Sequence, residues 1–289
     1  YENNILKFEG VAISEIAKGR TTPFYCYSQN TLIDNFNKFA NSVASFDSTV
    51  CFSLKSNSNL TLLKTLEKLG AGADVVSEWE MRKALKAGIS AKNIVFSGIG
   101  KTDKDIQFAI NNDCFQINVE SIDELNRINE IAASIGKVQK IGIRINPDIK
   151  ADTHKKISTG SLEDKFGVSI EDTHKIFQNR ADYSSLKISS IAFHIGSNIK
   201  ELKPFENTFS LIGDLAKKIN SETSIIDTID VGGGLSPQKR NFTFEDYAGL
   251  IHKYFDLDGI KFIFEPGRLI SADAGNIGFE STLYKKNYW

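Results

Sequence analysis

Apolar residues recur along this chain in two alternating rhythms. Short runs rich in β-branched residues occupy positions 49–54, 73–76, 93–96, 114–119, 138–145, 187–193, 224–231 and 261–264, and each predicts a buried strand. Longer segments between them space their apolar residues as one face of a helix, over 60–69, 78–87, 103–111, 122–135, 170–178, 203–220 and 244–254. Helix starts are marked by Ser77 before Glu80 and Ser121 before Glu124, the spacing of a capping box. Gly70 and Gly88 fall where helices should stop. Ahead of the first long run, "PFYCYS" (23–28) predicts a further short strand, and 28–43 predicts a helix placed to cover the bottom of the fold.

Eight strands alternating with helices fit an open doubly wound sheet or a closed (β/α)8 TIM-like barrel. The length, 289 residues, is the usual size for eight such repeats and favours the barrel.

Composition narrows the function without choosing it. Hydrophobic residues are 41% and charged residues 25%, enough apolar material for a large core. A formal net charge of -1 gives no basis for nucleic acid or anionic membrane as a partner. No apolar stretch reaches the length of a membrane span. Cys26, Cys51 and Cys114 have no metal-ligand spacing and read as free thiols of a reducing, cytoplasmic compartment. The scattered phenylalanines read as core.

In a barrel, chemistry gathers at the carboxyl ends of the strands. Those ends carry Lys55, Ser77 after Asp74, Arg144 running into Asn146 and Asp148, His194 in "AFHIGSN", Gly232–Gly234 in "VGGGL", and Glu265 to Arg268 in "FEPGR". The glycine triplet is either a tight turn or a cradle of backbone N–H groups for a phosphate. Lys55 is either a solvated strand end or an amine aimed into a pocket. A lysine facing a phosphate cradle is what pyridoxal 5'-phosphate requires, and partial burial with nearby positive charge would favour the neutral amine. His194 is either a satisfied core histidine or a plate against a cofactor ring. Glu265 and Arg268 form either a structural ion pair or two separate contacts, to a pyridine nitrogen and to an anion.

The stretches "EGVAISEIAKGRTTPFYCYS", "CFSLKSNSN", "GAGADVVSEWEMRKAL", "RINPDIKADTHKKISTG" with "KFG", "AFHIGSN", "DVGGGL" and "EPGR" resemble, in order, the barrel-type (fold type III) pyridoxal-phosphate-dependent decarboxylases. The long run from "INPD" to "KFG" is most similar to the diaminopimelate decarboxylases among them. The resemblance implies decarboxylation of meso-2,6-diaminopimelate to L-lysine and CO2, by a cytoplasmic homodimer with pyridoxal 5'-phosphate. It implies Lys55 as the Schiff-base lysine, His194 as the residue stacked on the ring, and Glu265 beside the pyridine nitrogen. Ser197 and Gly232, Gly233 and Gly234 correspond to phosphate-binding elements, Arg268 to a substrate-carboxylate ligand, and Asp74 to a cofactor-side position. It also implies three regions: 1–28 leading into the barrel, a pyridoxal-phosphate-binding barrel over 29–270, and the start of a truncated β-rich domain at 271–289. A relative acting on ornithine, arginine or lysine, or a barrel that binds the cofactor without catalysis, remains the alternative. Two departures stand out: "SLKSN" around the lysine, where the family commonly has "AxKAN", and Glu78 and Trp79, where it has two glycines.

Overall fold

The computed structural model of the chain describes residues 5–147 and 166–278. Asp148, most of the "RINPDIKADTHKKISTG" run and the closing "STLYKKNYW" lie outside those residues. Eight parallel strands close into a barrel: β1 (Ser48–Ser53), β2 (Gly72–Val75), β3 (Ile94–Phe96), β4 (Gln116–Val119), β5 (Gln139–Arg144), β6 (Leu186–Ala192), β7 (Thr228–Asp230) and β8 (Lys261–Phe264). Closure is made by β8 against β1, with Phe262 opposite Ser48 and Phe264 opposite Val50. The open sheet is thereby excluded. No helix among the described residues is long and apolar enough to cross a membrane.

Beyond a short N-terminal helix, Ile13–Ala17, the helices are α1 (Gln29–Ser42), α2 (Leu60–Glu67), α3 (Glu78–Ala87), α4 (Asp103–Asn111), α5 (Ile122–Ile135), α6 (Ile170–Gln178), α7 (Lys203–Thr223), α8 (Phe244–Tyr254) and the short α9 (Arg268–Ser271). Two expected strands are shorter than the apolar runs that signal them. Ser224 closes α7 with φ 49° and its N–H on Asn220 O, so β7 starts only at Thr228. The N–H of Cys114 bonds Ala109 O and finishes the turn after α4, so β4 starts at Gln116.

The expectation that α1 covers the bottom of the barrel is corrected. The helix packs between α8 and α2 in the outer ring, over the seam where β8 meets β1. Phe39 sets its edge against Phe264 of β8 and Phe244 of α8, and Asn35 donates to Ile270 O of α9. With α9 only four residues long, α1 fills the place of an eighth ring helix. The expected strand near 23–28 is Phe24–Tyr27, and it pairs antiparallel with Gly275–Gly278 outside the barrel.

Capping also differs from expectation. Ser77 and Ser121 accept from the N–H of Glu80 and Glu124 as the spacing requires. Each glutamate, however, reaches back to the residue before the serine, Val76 or Glu120, instead of closing on the serine N–H. Complete capping boxes form at Thr102/Asp105 and Thr243/Asp246.

The core divides unequally. Nearly all buried apolar side chains, including Phe36, Phe52, Phe96, Phe209 and Phe264, form one cluster between strands and helices. Inside the barrel the apolar cluster is small: Cys51, Val95 and Ile263, with Phe115 against them. Above it the interior is polar, because alternate residues of β2, β4 and β7 turn Asp74, Gln116, Asn118 and Asp230 inward, all almost fully buried. Gly142 leaves room for them. A Cβ there would stand 2.4 Å from Asn118 Oδ1 and 2.5 Å from Gln116 Nε2.

Candidate active site

Every strand end named from the sequence opens on one face, and most of their side chains line a single cavity of about 610 Å³. Lys55, His194, Ser197, Gly232–Gly234, Glu265 and Arg268 all border it. A smaller cavity of about 170 Å³ shares Lys55, His194 and Glu265 with it and extends down to Ser97, Asn118 and Asp230. The larger volume suits a small organic ligand.

Lys55 sits in the single 3-10 turn Leu54–Ser56 that ends β1. Its Nζ donates to Asp74 Oδ2 at 2.9 Å, and Ser53 Oγ donates to the same oxygen at 2.6 Å. Half of the Lys55 side chain is open to the mouth, whereas Asp74 is sealed beneath it. Asp74 Oδ1 has no hydrogen-bond partner among the described residues. Burial works to lower the pKa of the Lys55 ammonium, but Asp74 and Glu265 overcome it and raise it above the ordinary value. The expectation of nearby positive charge favouring the neutral amine is therefore corrected: carboxylates surround this lysine and hold its proton.

His194 follows β6, and its Nδ1 accepts from the Gly233 N–H at 3.2 Å. Burial, with Lys55 and Arg144 nearby, pulls its pKa well below the usual histidine range. The ring is therefore neutral at physiological pH, with its proton assigned to Nε2 by the hydrogen bond at Nδ1.

The glycine turn follows β7 and is zipped to the His194 loop by Ile199 N–H on Gly234 O at 2.9 Å. Only glycine fits here. A Cβ on Gly232 would lie 2.5 Å from Phe193 O, and Gly232 has φ 67°. A Cβ on Gly233 would lie 2.3 Å from Glu265 O. The turn is less of a cradle than its composition suggests. Gly232 N–H is taken by Asp230 Oδ1 and Gly233 N–H by His194, while among the described residues no hydrogen bond occupies the Gly234 N–H. Beside it, Arg268 Nε donates to Ser197 Oγ at 3.2 Å. Arg268 makes no ion pair with Glu265 among the described residues, so the two act separately.

Glu265 follows β8, is nearly buried, and accepts from Ser97 Oγ at 3.3 Å. Asn118 and Ser97 bridge it to Asp230. Burial, then Asp230 and Asp74, drives its pKa well above the carboxylate range against the opposing pull of Lys55.

A lysine amine with a carboxylate beneath it, a neutral imidazole plate, a buried acid, and an N–H, hydroxyl and guanidinium at the far end are the donor set that pyridoxal phosphate fits. The family described as "Pyridoxal-dependent decarboxylase, pyridoxal binding domain" matches residues 29–272.

The chain belongs to the pyridoxal-dependent decarboxylases.

Within them it is 38% identical to the diaminopimelate decarboxylase of Zymomonas mobilis, over 95% of this chain and 67% of that protein. It is 37% identical to that of Aquifex aeolicus, over 95% of this chain and 66% of the relative. The crystal structure of the Helicobacter pylori diaminopimelate decarboxylase complexed with L-lysine superposes with a TM-score of 0.88 at 36% identity, covering 92% of this chain and 68% of that one. The chain thus spans about two thirds of the length of these decarboxylases.

Sequence reasoning missed several residues of this decarboxylase site. Ser97, Asn118 and Asp230 complete the floor beneath Glu265, and Tyr25 and Tyr27 line the larger cavity. Arg144 was noted only as a strand end. It is buried, with Nη1 on Glu120 Oε1 at 2.7 Å, and lines the smaller cavity. The signal was the alternation "QINVE" in β4, which sends Gln116, Asn118 and Glu120 to one face of a strand with no exposed side. Trp79, one of the two departures, is 74% exposed at the start of α3 and does not enter the site.

Proposed function

We propose that the whole protein is a pyridoxal-phosphate-dependent decarboxylase that converts meso-2,6-diaminopimelate to L-lysine and CO2. The observation that carries this reading is the convergence of Lys55 over Asp74, His194, Glu265 and the Gly232–Gly234 turn on one cavity. Its likeness to a diaminopimelate decarboxylase that was crystallised with L-lysine points to the substrate. Bound there, pyridoxal phosphate supplies the electron sink that lets a carboxylate leave as CO2.

The chain's own residues do the rest. Lys55 holds the cofactor covalently through its amine, and Asp74 receives the proton that the ammonium must lose. His194, pinned by Gly233 and uncharged, offers a flat face that fixes the plane of the ring. Glu265 holds the proton at the ring nitrogen, which keeps the ring able to accept electrons. Ser197 and the Gly234 N–H take the phosphate end. Arg268, whose Nε is engaged by Ser197, has its terminal nitrogens for a substrate carboxylate. We infer that 29–270 is the cofactor-binding barrel, with the paired strands Phe24–Tyr27 and Gly275–Gly278 outside it. A cytoplasmic homodimer is the assembly we infer, in keeping with three free cysteines and the absence of a disulfide among the described residues.

The test is lysine release from meso-diaminopimelate with added pyridoxal phosphate, using this chain and a form extended to the length of its relatives. Lysine from the extended form supports the reading. Release of a diamine from ornithine or lysine, with none from the diacid, would overturn the substrate.

A further inference from the structure

The floor of the site holds more acid than its cations balance. Asp74, Asp230 and Glu265 crowd within it, each nearly or fully buried, and Lys55 is the ammonium that faces them. Arg144 is engaged by Glu120, His194 is neutral, and Cys51 and Tyr247 are pushed upward and stay protonated. Three carboxylates against one ammonium would leave two uncompensated charges in a closed space, an arrangement that burial strongly penalises.

The hydrogen bonds show how the excess is relieved. Asn118 Nδ2 donates to Asp230 Oδ2 at 2.8 Å and to Ser97 Oγ at 3.0 Å. Ser97 Oγ in turn donates to Glu265 Oε1. Asp230 and Glu265 are thereby bridged in one buried network, and a single proton on the pair removes one of the two excess charges. Asn118 Oδ1 accepts from Gln116 Nε2 at 2.8 Å, an orientation that turns its Nδ2 toward Asp230. Asp230 also accepts the Gly232 N–H at 3.0 Å, which ties the network to the glycine turn.

We propose that Asp230 is a positioning residue that shares a single proton with Glu265 and, through Asn118, Ser97 and Gly232, fixes the Glu265 carboxyl relative to the glycine turn. This rests on the reading that Glu265 meets the ring nitrogen of pyridoxal phosphate. With one proton on the pair, the floor carries one negative charge in excess of Lys55, and one cationic ring nitrogen cancels it. If a cationic ring nitrogen were held against Glu265, the shared proton would rest on Asp230, with a carboxylate facing the ring and a neutral acid behind it. No proton is gained or lost in that change. One side chain thereby sets both the ring-nitrogen end and the phosphate end of the site.

The test reads the proton without cofactor. Infrared difference spectra of the chain alone at pH 7.5 are expected to show one buried protonated-carboxyl stretch that shifts in Asp230→Asn, because burial still holds the Glu265 proton while the group facing it changes. Lowering the pH of the parent chain to about 5 is expected to add a second such band, and this needs no variant to fold. Ser97→Ala is expected to shift the first band but keep it. An unshifted band in Asp230→Asn would mean that Asp230 does not touch the Glu265 proton. Absence of the band in the parent would mean that no proton is shared. Either result overturns the proposal. Failure here leaves the cofactor reading standing, whereas failure to bind pyridoxal phosphate would remove that reading and leave the infrared result intact.

Discussion

Replacing Gly233 with alanine adds one methyl group at the point where the glycine turn and the Glu265 strand end touch. The new Cβ would stand 2.3 Å from Glu265 O and 3.1 Å from its carbonyl carbon, both backbone atoms that no rotamer change can move. Ordinary contact begins near 3.4 Å, so the Glu265 backbone must retreat by about 1 Å. That retreat is resisted, because Glu265 N–H is bonded to Gly232 O at 2.7 Å and Ser53 N–H to Pro266 O at 3.2 Å. Overpacking of this kind costs roughly 1–3 kcal/mol, a fall in Tm of about 2–5 °C for a domain of this size. On the proposed role of Glu265 at the ring nitrogen, a shift of about 1 Å costs on the order of 100-fold in turnover. Thermal unfolding of the chain and decarboxylation by the extended form read the two effects separately. Gly249→Ala in α8 is the control, since nothing lies within 4 Å of its added Cβ, and its helix is expected to gain up to about 1 kcal/mol. If Gly233→Ala melts with the parent and turns over normally, the close approach of the two loops is not what places Glu265.

Three further outcomes follow from the electrostatics. Asp74→Asn removes the charge that raises the Lys55 pKa, so the pH at which Lys55 reacts with trinitrobenzenesulfonate should fall; an unchanged profile would show that Asp74 does not hold the ammonium. Asp230 has its pKa raised from 3.8 to about 6, chiefly by burial, so the folded state binds its proton more tightly than the unfolded one. That contribution is present below pH 3.8 and is lost as pH rises through about 6; the stability difference between Asp230→Asn and parent should therefore change across this window, and a constant difference would refute it. Glu265→Ala should depress decarboxylation far more than retention of pyridoxal phosphate, and equal rates for variant and parent would remove its electronic role.

The ring of strands and helices was legible because period-two and helical rhythms alternate cleanly, and five helices, α3 to α6 and α8, begin and end where the apolar spacing places them. The position of α1 was not legible. Its apolar face, with Leu32, Phe36 and Phe39 buried, says that it packs, but only the short α9 shows that a place in the ring is left for it. At the site, strand ends gave Lys55, His194 and Glu265, because reactive side chains there have no competing core role. Asp230 stayed hidden inside "TIDV", one polar letter in an apolar run, since its partners Asn118 and Glu265 are 112 and 35 positions away. The protonation of Lys55 was misjudged for the same reason: Asp74 beneath it comes from the next strand, and distance along the chain conceals which charge lies nearest.

The central claim is that Lys55 is the amine that holds pyridoxal phosphate in this barrel. Incubating the chain with the cofactor, reducing with borohydride and mapping the modified peptide by mass spectrometry tests it directly. The account predicts one phosphopyridoxyl group, located on Lys55 and absent from Lys55→Ala. A stoichiometric adduct on any other lysine, or an adduct in Lys55→Ala at the parent's level, would contradict it.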